Sequence, residues 1–256
     1  MRSFDRVLDC LGRRLSRRLQ RETVDHGQII PSGMHALQRT LRPGDVLLVG
    51  GSSKLATAIK YLTQSTWSHA ALYVGDVLES TAGERHTLIE VDLGTGCRSI
   101  PLSKFASFQT RICRPVGLTD ADRDAVIDFM ISRLGAQYDM RNIVDLARYL
   151  FPTPPVPSHW RRRMIALGSG EPTRAICSTL IAEAFDRVRY PILPRVETAA
   201  DLKRGIRGWR YQEILHIRHH SLYAPADFDL SPYFRIVKPT IEEGFNYKGL
   251  TWGDGP

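Results

Sequence analysis

Arg174-Ala175-Ile176-Cys177-Ser178-Thr179-Leu180-Ile181-Ala182-Glu183-Ala184-Phe185 is the stretch on which the reading of this chain turns. Ile176, Leu180, Ile181, Ala184, Phe185 and Val188 recur at helical spacing and make one apolar face. Gly168, Gly170 and Pro172 upstream are loop residues, and Thr173 is a candidate cap. Cys177 then falls in the first turn, where unpaired backbone N–H groups and the positive end of the macrodipole favour an anion. A free thiol titrates near about 8.5, and a helix N-terminus with an imidazolium nearby makes thiolate available at neutral pH. A lone helical cysteine is more often a buried apolar residue, so the rest of the chain has to supply the chemistry.

Working outward, the 256 residues are 43% hydrophobic and 24% charged, an ordinary globular composition. A chain of this length can bury a substantial core without disulfides or metals. The net charge of +8 is uneven. Seven arginines against Asp5 and Asp9 put +5 of it on residues 1–21, which argues against a general nucleic-acid surface on the remaining body. Cys10, Cys97, Cys113 and Cys177 form no CxxC and match no zinc framework, and the acyl-transfer chemistry considered below requires no metal or organic cofactor. No run of 18 apolar residues and no secretory h-region is seen, which makes cytoplasmic residence the expectation.

In chain order, residues 3–21 read as a basic amphipathic helix, with Phe4, Val7, Leu8, Leu11, Leu15 and Leu19 on one stripe. Such a helix packs on the domain body or lies on an anionic membrane surface as a peripheral contact. Residues 22–40 look like a connector, so 1–40 forms one unit, 41–240 the main domain and 241–256 a C-terminal tail. Pro43-Gly44-Asp45 marks a turn before a buried strand, Val46 to Val49. Ser52 or Ser53 caps a helix with Leu55, Ala58, Ile59 and Leu62 inward. His69 to Val74 and Leu88 to Asp92 read as an antiparallel pair, the second strand with a half-exposed face. Ser99 to Leu102 and Gln109 to Pro115 follow as short strands. Thr119 caps a helix with Val126, Ile127, Met130, Ile131 and Leu134 inward, ended by Gly135. Asn142 to Leu150 is a second helix, and 151–174, with four prolines, is an irregular insertion of the kind that forms lids or surface excursions. Ala199 to Lys203 offers one more helical turn. The class expected is α+β, an antiparallel sheet packed against helices.

Thiolate catalysis needs a nucleophile, an imidazole within hydrogen-bond reach and a group that orients the imidazole. Cys177 at a helix start, His69 at a strand start and Glu90 on the next strand supply those types. Directly paired strand residues lie about 4.5–5.5 Å apart, so Glu90 can reach the His69 ring from the same sheet face. A helix crossing that sheet presents Cys177 to the other ring nitrogen. Glu79, Glu84 and His86 compete with Glu90 as the orienting group, His86 most strongly. Cys97, following Gly96 in a turn, is expected to be exposed and without a base.

The segments RPGDVLLVGG (42–51), WSHAALYVG (67–75), LIEVD (88–92), QYD (137–139) and ICSTLIAEAF (176–185), with DFDLSPYF (227–234) near the end, occur in a telling order. The chain resembles the circularly permuted papain-like hydrolases of the YiiX/YaeF type, related to NlpC-type cell-wall peptidases and to lecithin:retinol acyltransferase. The resemblance implies a permuted papain-like fold with its nucleophile at a helix N-terminus. It implies Cys177 as nucleophile, His69 as general base and acid, Glu90 as orienting group and Tyr138 near the active site. It also implies acyl transfer through a cysteine acyl-enzyme on peptide or cell-wall amides. A lipid-acting acyl hydrolase or acyltransferase is the alternative, and a non-catalytic binding module the second. Relatives of the acyltransferase type use a second histidine, which keeps His86 in view.

Overall fold

The computed structural model describes residues 33–78, 83–92, 95–137, 176–193, 195–199, 212–216 and 223–249. The helices expected at 3–21 and 142–150, the insertion at 151–174, Cys10, Thr173 and Tyr138 lie outside the described residues.

The centre is a six-stranded antiparallel sheet in the order β4-β3-β2-β1-β5-β8. Its strands are β1 (Val46–Gly50), β2 (His69–Tyr73), β3 (His86–Asp92), β4 (Gly96–Pro101), β5 (Gln109–Pro115) and β8 (Phe234–Val237). Between them in sequence, β6 (Arg195–Ala199) and β7 (Gln212–His216) pair as a separate two-stranded sheet. Ala199 therefore closes a strand, where the sequence suggested the start of a helical turn. The described α-helices are α1 (Met34–Thr40), α2 (Lys54–Thr63), α3 (Asp120–Ser132), α4 (Ile176–Arg187), α5 (Pro225–Leu230) and α6 (Pro239–Glu242). The architecture is α+β, as the sequence implies.

Local chemistry sets the helix starts. Ser53 caps α2 by accepting from the Ala56 N–H at 3.1 Å, and Thr119 caps α3 by accepting from the Asp122 N–H at 3.1 Å. Asp120 and Asp122 sit in the first turn of α3, where the helix dipole favours negative charge.

The sheet is covered on both sides. One face carries Val46, Leu48, Ala70, Leu72, Ile89 and Val91 under Val126, Ile127 and Met130 of α3 and Leu180, Ile181, Ala184 and Phe185 of α4. Each of the larger side chains among them, valine and upward, contributes about 1.5–3 kcal/mol relative to its exposed state. The other face carries Leu47, Val49, Ala71, Leu88 and Ile112, closed by Leu37 and Leu41 at α1 and by Leu102 and Phe105 of a 3₁₀ turn (Leu102–Phe105).

That second cover corrects the reading of β3 as half-exposed. Leu88, Ile89, Glu90 and Val91 are all buried, because α1 and the 3₁₀ turn shield the face from which water was expected. It also takes Met34–Thr40 out of the featureless connector: Leu37 is buried, and Arg114 of β5 donates to the Thr40 carbonyl at 2.7 Å. Leu102 leaves β4 for the turn, so the fourth strand starts and ends earlier than its sequence suggests.

The start of β4 is pinned to the end of α3. Gly96 has φ +77°, and a Cβ there would stand 2.2 Å from the Ala136 carbonyl oxygen, so only glycine fits. The Cys97 N–H donates to Ala136 O at 3.0 Å and the Gly135 N–H to Cys97 O at 2.9 Å. Cys97 is consequently buried, not exposed, and burial pushes its thiol up to about 11.

Candidate active site

His69 opens β2, and the residues before it fix the strand's entry. The Ser68 N–H donates to Val49 O at 3.0 Å, and the Ser68 hydroxyl accepts from the Gly51 N–H at 2.9 Å. The buried Trp67 indole donates to Asp229 at 2.9 Å, which ties the DFDLSPYF segment to the strand start.

The His69 Nε2 stands 2.8 Å from Glu90 Oε2. The two are not directly opposed: Ala71 faces Glu90 across the ladder, and His69 lies two residues back along β2. This diagonal places them on one face at a separation that a glutamate side chain spans. The face is the one that holds Ala71, Leu88 and Phe105, and the Phe105 ring lies 6.0 Å from the His69 ring.

Helix α4 packs its core residues on the opposite face. Cys177, the second residue of α4, is buried and hydrogen-bonded to His69. With Nε2 held by Glu90, the nitrogen left for the sulfur is Nδ1. The helix therefore does not lie over the face that bears the imidazole. Its first turn meets the imidazole at the beginning of β2, and the three side chains converge from both sides of the sheet.

Electrostatics follow from that packing. Burial pulls the His69 imidazolium down, but the Cys177 sulfur and the Glu90 carboxylate outweigh it and push the group up to about 10. Burial alone would raise the Glu90 carboxyl; His69 and Lys104 reverse this and hold it well below the usual carboxylate range. A buried charge persists only when paired and hydrogen-bonded. Glu90, fully buried, meets that condition through His69 on one oxygen and, on the other, Arg98 Nε at 2.9 Å, Arg98 Nη2 at 2.8 Å and Lys104 Nζ.

Among the candidate orienting groups, His86 is turned away, its Nδ1 2.8 Å from the Ser99 hydroxyl. Glu79 and Tyr138 lie outside the described residues. Arg98, Lys104 and Phe105 were not read from the sequence. Arg98 is the cross-strand partner of Glu90 in the β3–β4 register, a signal available only once β4 is correctly bounded. Among the described residues, no group of three or more His, Cys, Asp or Glu could hold a metal ion.

A cysteine in the first turn of a helix, an imidazole on an antiparallel sheet and a carboxylate behind it, met in the order His, Glu, Cys, bring together the three group types that thiolate catalysis needs. Residues 40–150 match the model of a family described as permuted papain-like amidase enzyme, YaeF/YiiX, C92 family. That span holds His69 and Glu90 and stops short of Cys177. The family description supports a cysteine hydrolase of the amidase class. Among solved structures, the crystal structure of metalloprotein yiiX from Escherichia coli O157:H7, DUF1105, is similar at 15% identity and a TM-score of 0.43, over 77% of this chain and 96% of that one. No curated protein matches the chain.

Proposed function

We propose that the protein is a thiol-dependent amidase or peptidase that works through a Cys177 acyl-enzyme. One observation carries the proposal: the His69 ring is held between the Glu90 carboxylate, 2.8 Å from Nε2, and the Cys177 thiol. In the reaction the Cys177 sulfur forms a bond to the amide carbonyl carbon. Backbone N–H groups at the start of α4, that of Cys177 among them, receive the developing oxyanion. His69 gives its proton to the departing amine nitrogen as the C–N bond breaks. Water then attacks the thioester, His69 takes the proton, and the acid leaves with the thiolate restored. Glu90 holds the imidazole in orientation and favours its protonated form.

The test pairs a substrate-free and a substrate-dependent measurement. Alkylation of Cys177 by iodoacetamide at pH 6 is expected to be fast in the native protein and to fall at least about tenfold in His69→Ala. Equal rates would remove the activated pair. Purified protein incubated with peptide and cell-wall fragments, and separately with a lipid extract, is expected to release a free amine from the former only, with Cys177→Ala inert. Release of fatty acid from the lipid extract alone would replace the amide with an ester as the scissile bond.

A further inference from the structure

Glu90 divides its two oxygens. Oε2 serves His69, and Oε1 is given over to Arg98 and Lys104. Both cations come from one continuous segment, β4 and the 3₁₀ turn that follows it. The same turn supplies Phe105, whose ring lies 6.0 Å from that of His69, with the Lys104 ammonium 5.4 Å from the Phe105 centroid. Arg98 is braced a second time, its Nη2 2.9 Å from Asp92 Oδ2. The segment thus touches the histidine with its ring and the carboxylate with its charges, while its start is locked to α3 at Gly96.

We propose that Lys104, with Arg98, is a positioning residue of the active site: the pair holds Glu90 ionised through Oε1 so that Oε2 stays an acceptor for His69. The inference rests on the reading of Cys177 and His69 as the reacting pair. Without those cations a fully buried carboxylate would take up a proton more readily as pH falls, and a protonated Glu90 no longer favours the imidazolium. Arg98 alone leaves the division incomplete, because it also serves Asp92. Lys104 is bonded to Glu90 and is about one-third exposed, so it reaches the carboxylate from the solvent side. The charged and titratable groups that face Glu90 are His69 from β2, Arg98 and Cys97 from β4 and Lys104 from the turn; Cys177 of α4 bears on it through His69, and Asp92 of its own strand through Arg98.

Removing the positive charge should raise the pH at which the thiolate–imidazolium pair is lost on the acid side. The experiment measures iodoacetamide alkylation of Cys177 against pH in the full chain for native protein, Lys104→Met, Lys104→Arg and His69→Ala. The acid midpoint is expected to rise by about one pH unit in Lys104→Met, a tenfold lower rate at pH values below both midpoints. Lys104→Arg, which keeps the charge, should return the midpoint to its native position. A lysine that only braced the fold would lower thermal stability and leave the midpoint unmoved. An unmoved midpoint in folded Lys104→Met overturns the proposal. So does a midpoint raised equally in Lys104→Arg. If His69→Ala alkylates as fast as the native protein, the reading of the reacting pair fails instead, and that result is distinct from either.

Discussion

Among the described residues, two carboxylates lie fully inside the protein, and they are held in opposite ways. Asp45, just before β1, is closed on all sides: Arg114 Nε and Nη2 reach its two oxygens at 2.8 and 2.7 Å, and the Arg42 N–H donates at 2.9 Å. Burial pushes the Asp45 carboxyl up, against the pull of Arg114, while the bond to Asp45 holds the Arg114 guanidinium more firmly charged. These two directions oppose each other; the two-pronged contact decides for the ion pair. Glu90 keeps one oxygen aimed at a group that gains and loses a proton, and surrounds the other with two cations. A carboxylate satisfied by a single guanidinium is a structural joint. One that meets two cations on one oxygen and an imidazole on the other is, on the proposed reading, a device for controlling its neighbour's charge.

The sharpest way to break this contrast is to remove the charge at each position. Glu90→Gln is expected to lower turnover by about 10²–10⁴-fold, since an amide gives up the charge that favours the protonated imidazole and, being donor as well as acceptor, no longer fixes its tautomer. Its thermal midpoint should change far less than its turnover, which hydrolysis assays and calorimetry on the same sample would check. Asp45→Ala should do the reverse. It strands Arg114, only 11% exposed, and is expected to cost about 3–5 kcal/mol of stability in denaturant unfolding. Activity per folded molecule should be unchanged. If both variants lose activity and stability in the same proportion, the division between joint and device is wrong.

A smaller effect separates the two by pH. The folded carboxyl of Glu90 lies below its ordinary value of 4.5, so the unfolded chain binds the proton more readily than the folded one. Its contribution is fully present above about pH 4.5 and is lost as pH falls below that. Chemical denaturation from pH 6 down to pH 3 should therefore show a declining stability whose slope is shallower in Glu90→Gln. Burial pushes the Asp45 carboxyl up against the pull of Arg114, so it adds no acid loss of the Glu90 kind, and Asp45→Asn should leave the acid slope at least as steep as in the native protein. An equally steep slope in Glu90→Gln would show that the carboxylate does not draw its ionisation from the folded site.

What could be read in advance divides along the same line. His69 and Cys177 were legible because each opens an element: a strand whose start is marked by Trp67-Ser68, and a helix whose apolar face is unmistakable. Glu90 was legible as a polar residue inside an apolar strand. Its burial was not, because the cover comes from Leu37 and Leu41 of a segment that carries no pattern and from a 3₁₀ turn that its residues do not announce. Arg98 and Lys104 escaped for a related reason. A basic residue on a strand or turn reads as a solvated side chain until register and turn geometry put it against a buried acid. The pairing β6–β7 and the docking of β8 on β5 are long-range matches, set by tertiary contacts that local periodicity does not encode.

A third carboxylate tests how far the comparison extends. Asp229 on α5 is one-fifth exposed; it accepts from the Trp67 indole at 2.9 Å and from Arg111 Nη1 at 2.7 and 2.8 Å, and the Arg111 guanidinium lies 4.9 Å from the Trp67 ring. Each oxygen has a fixed donor, neither Trp67 nor Arg111 exchanges its proton, and Asp229 therefore belongs with Asp45 although its partner Trp67 stands only two residues from His69. Asp229→Asn keeps an amide oxygen for the indole but gives up the charge facing Arg111, which is itself about one-third exposed and partly screened. The expected loss is therefore small, about 1 kcal/mol in denaturant unfolding. The pH profile of Cys177 alkylation should not move at all. A shifted profile in Asp229→Asn would mean that the strand start transmits charge to His69, and the site would then extend to the DFDLSPYF segment and not end at the β4 turn.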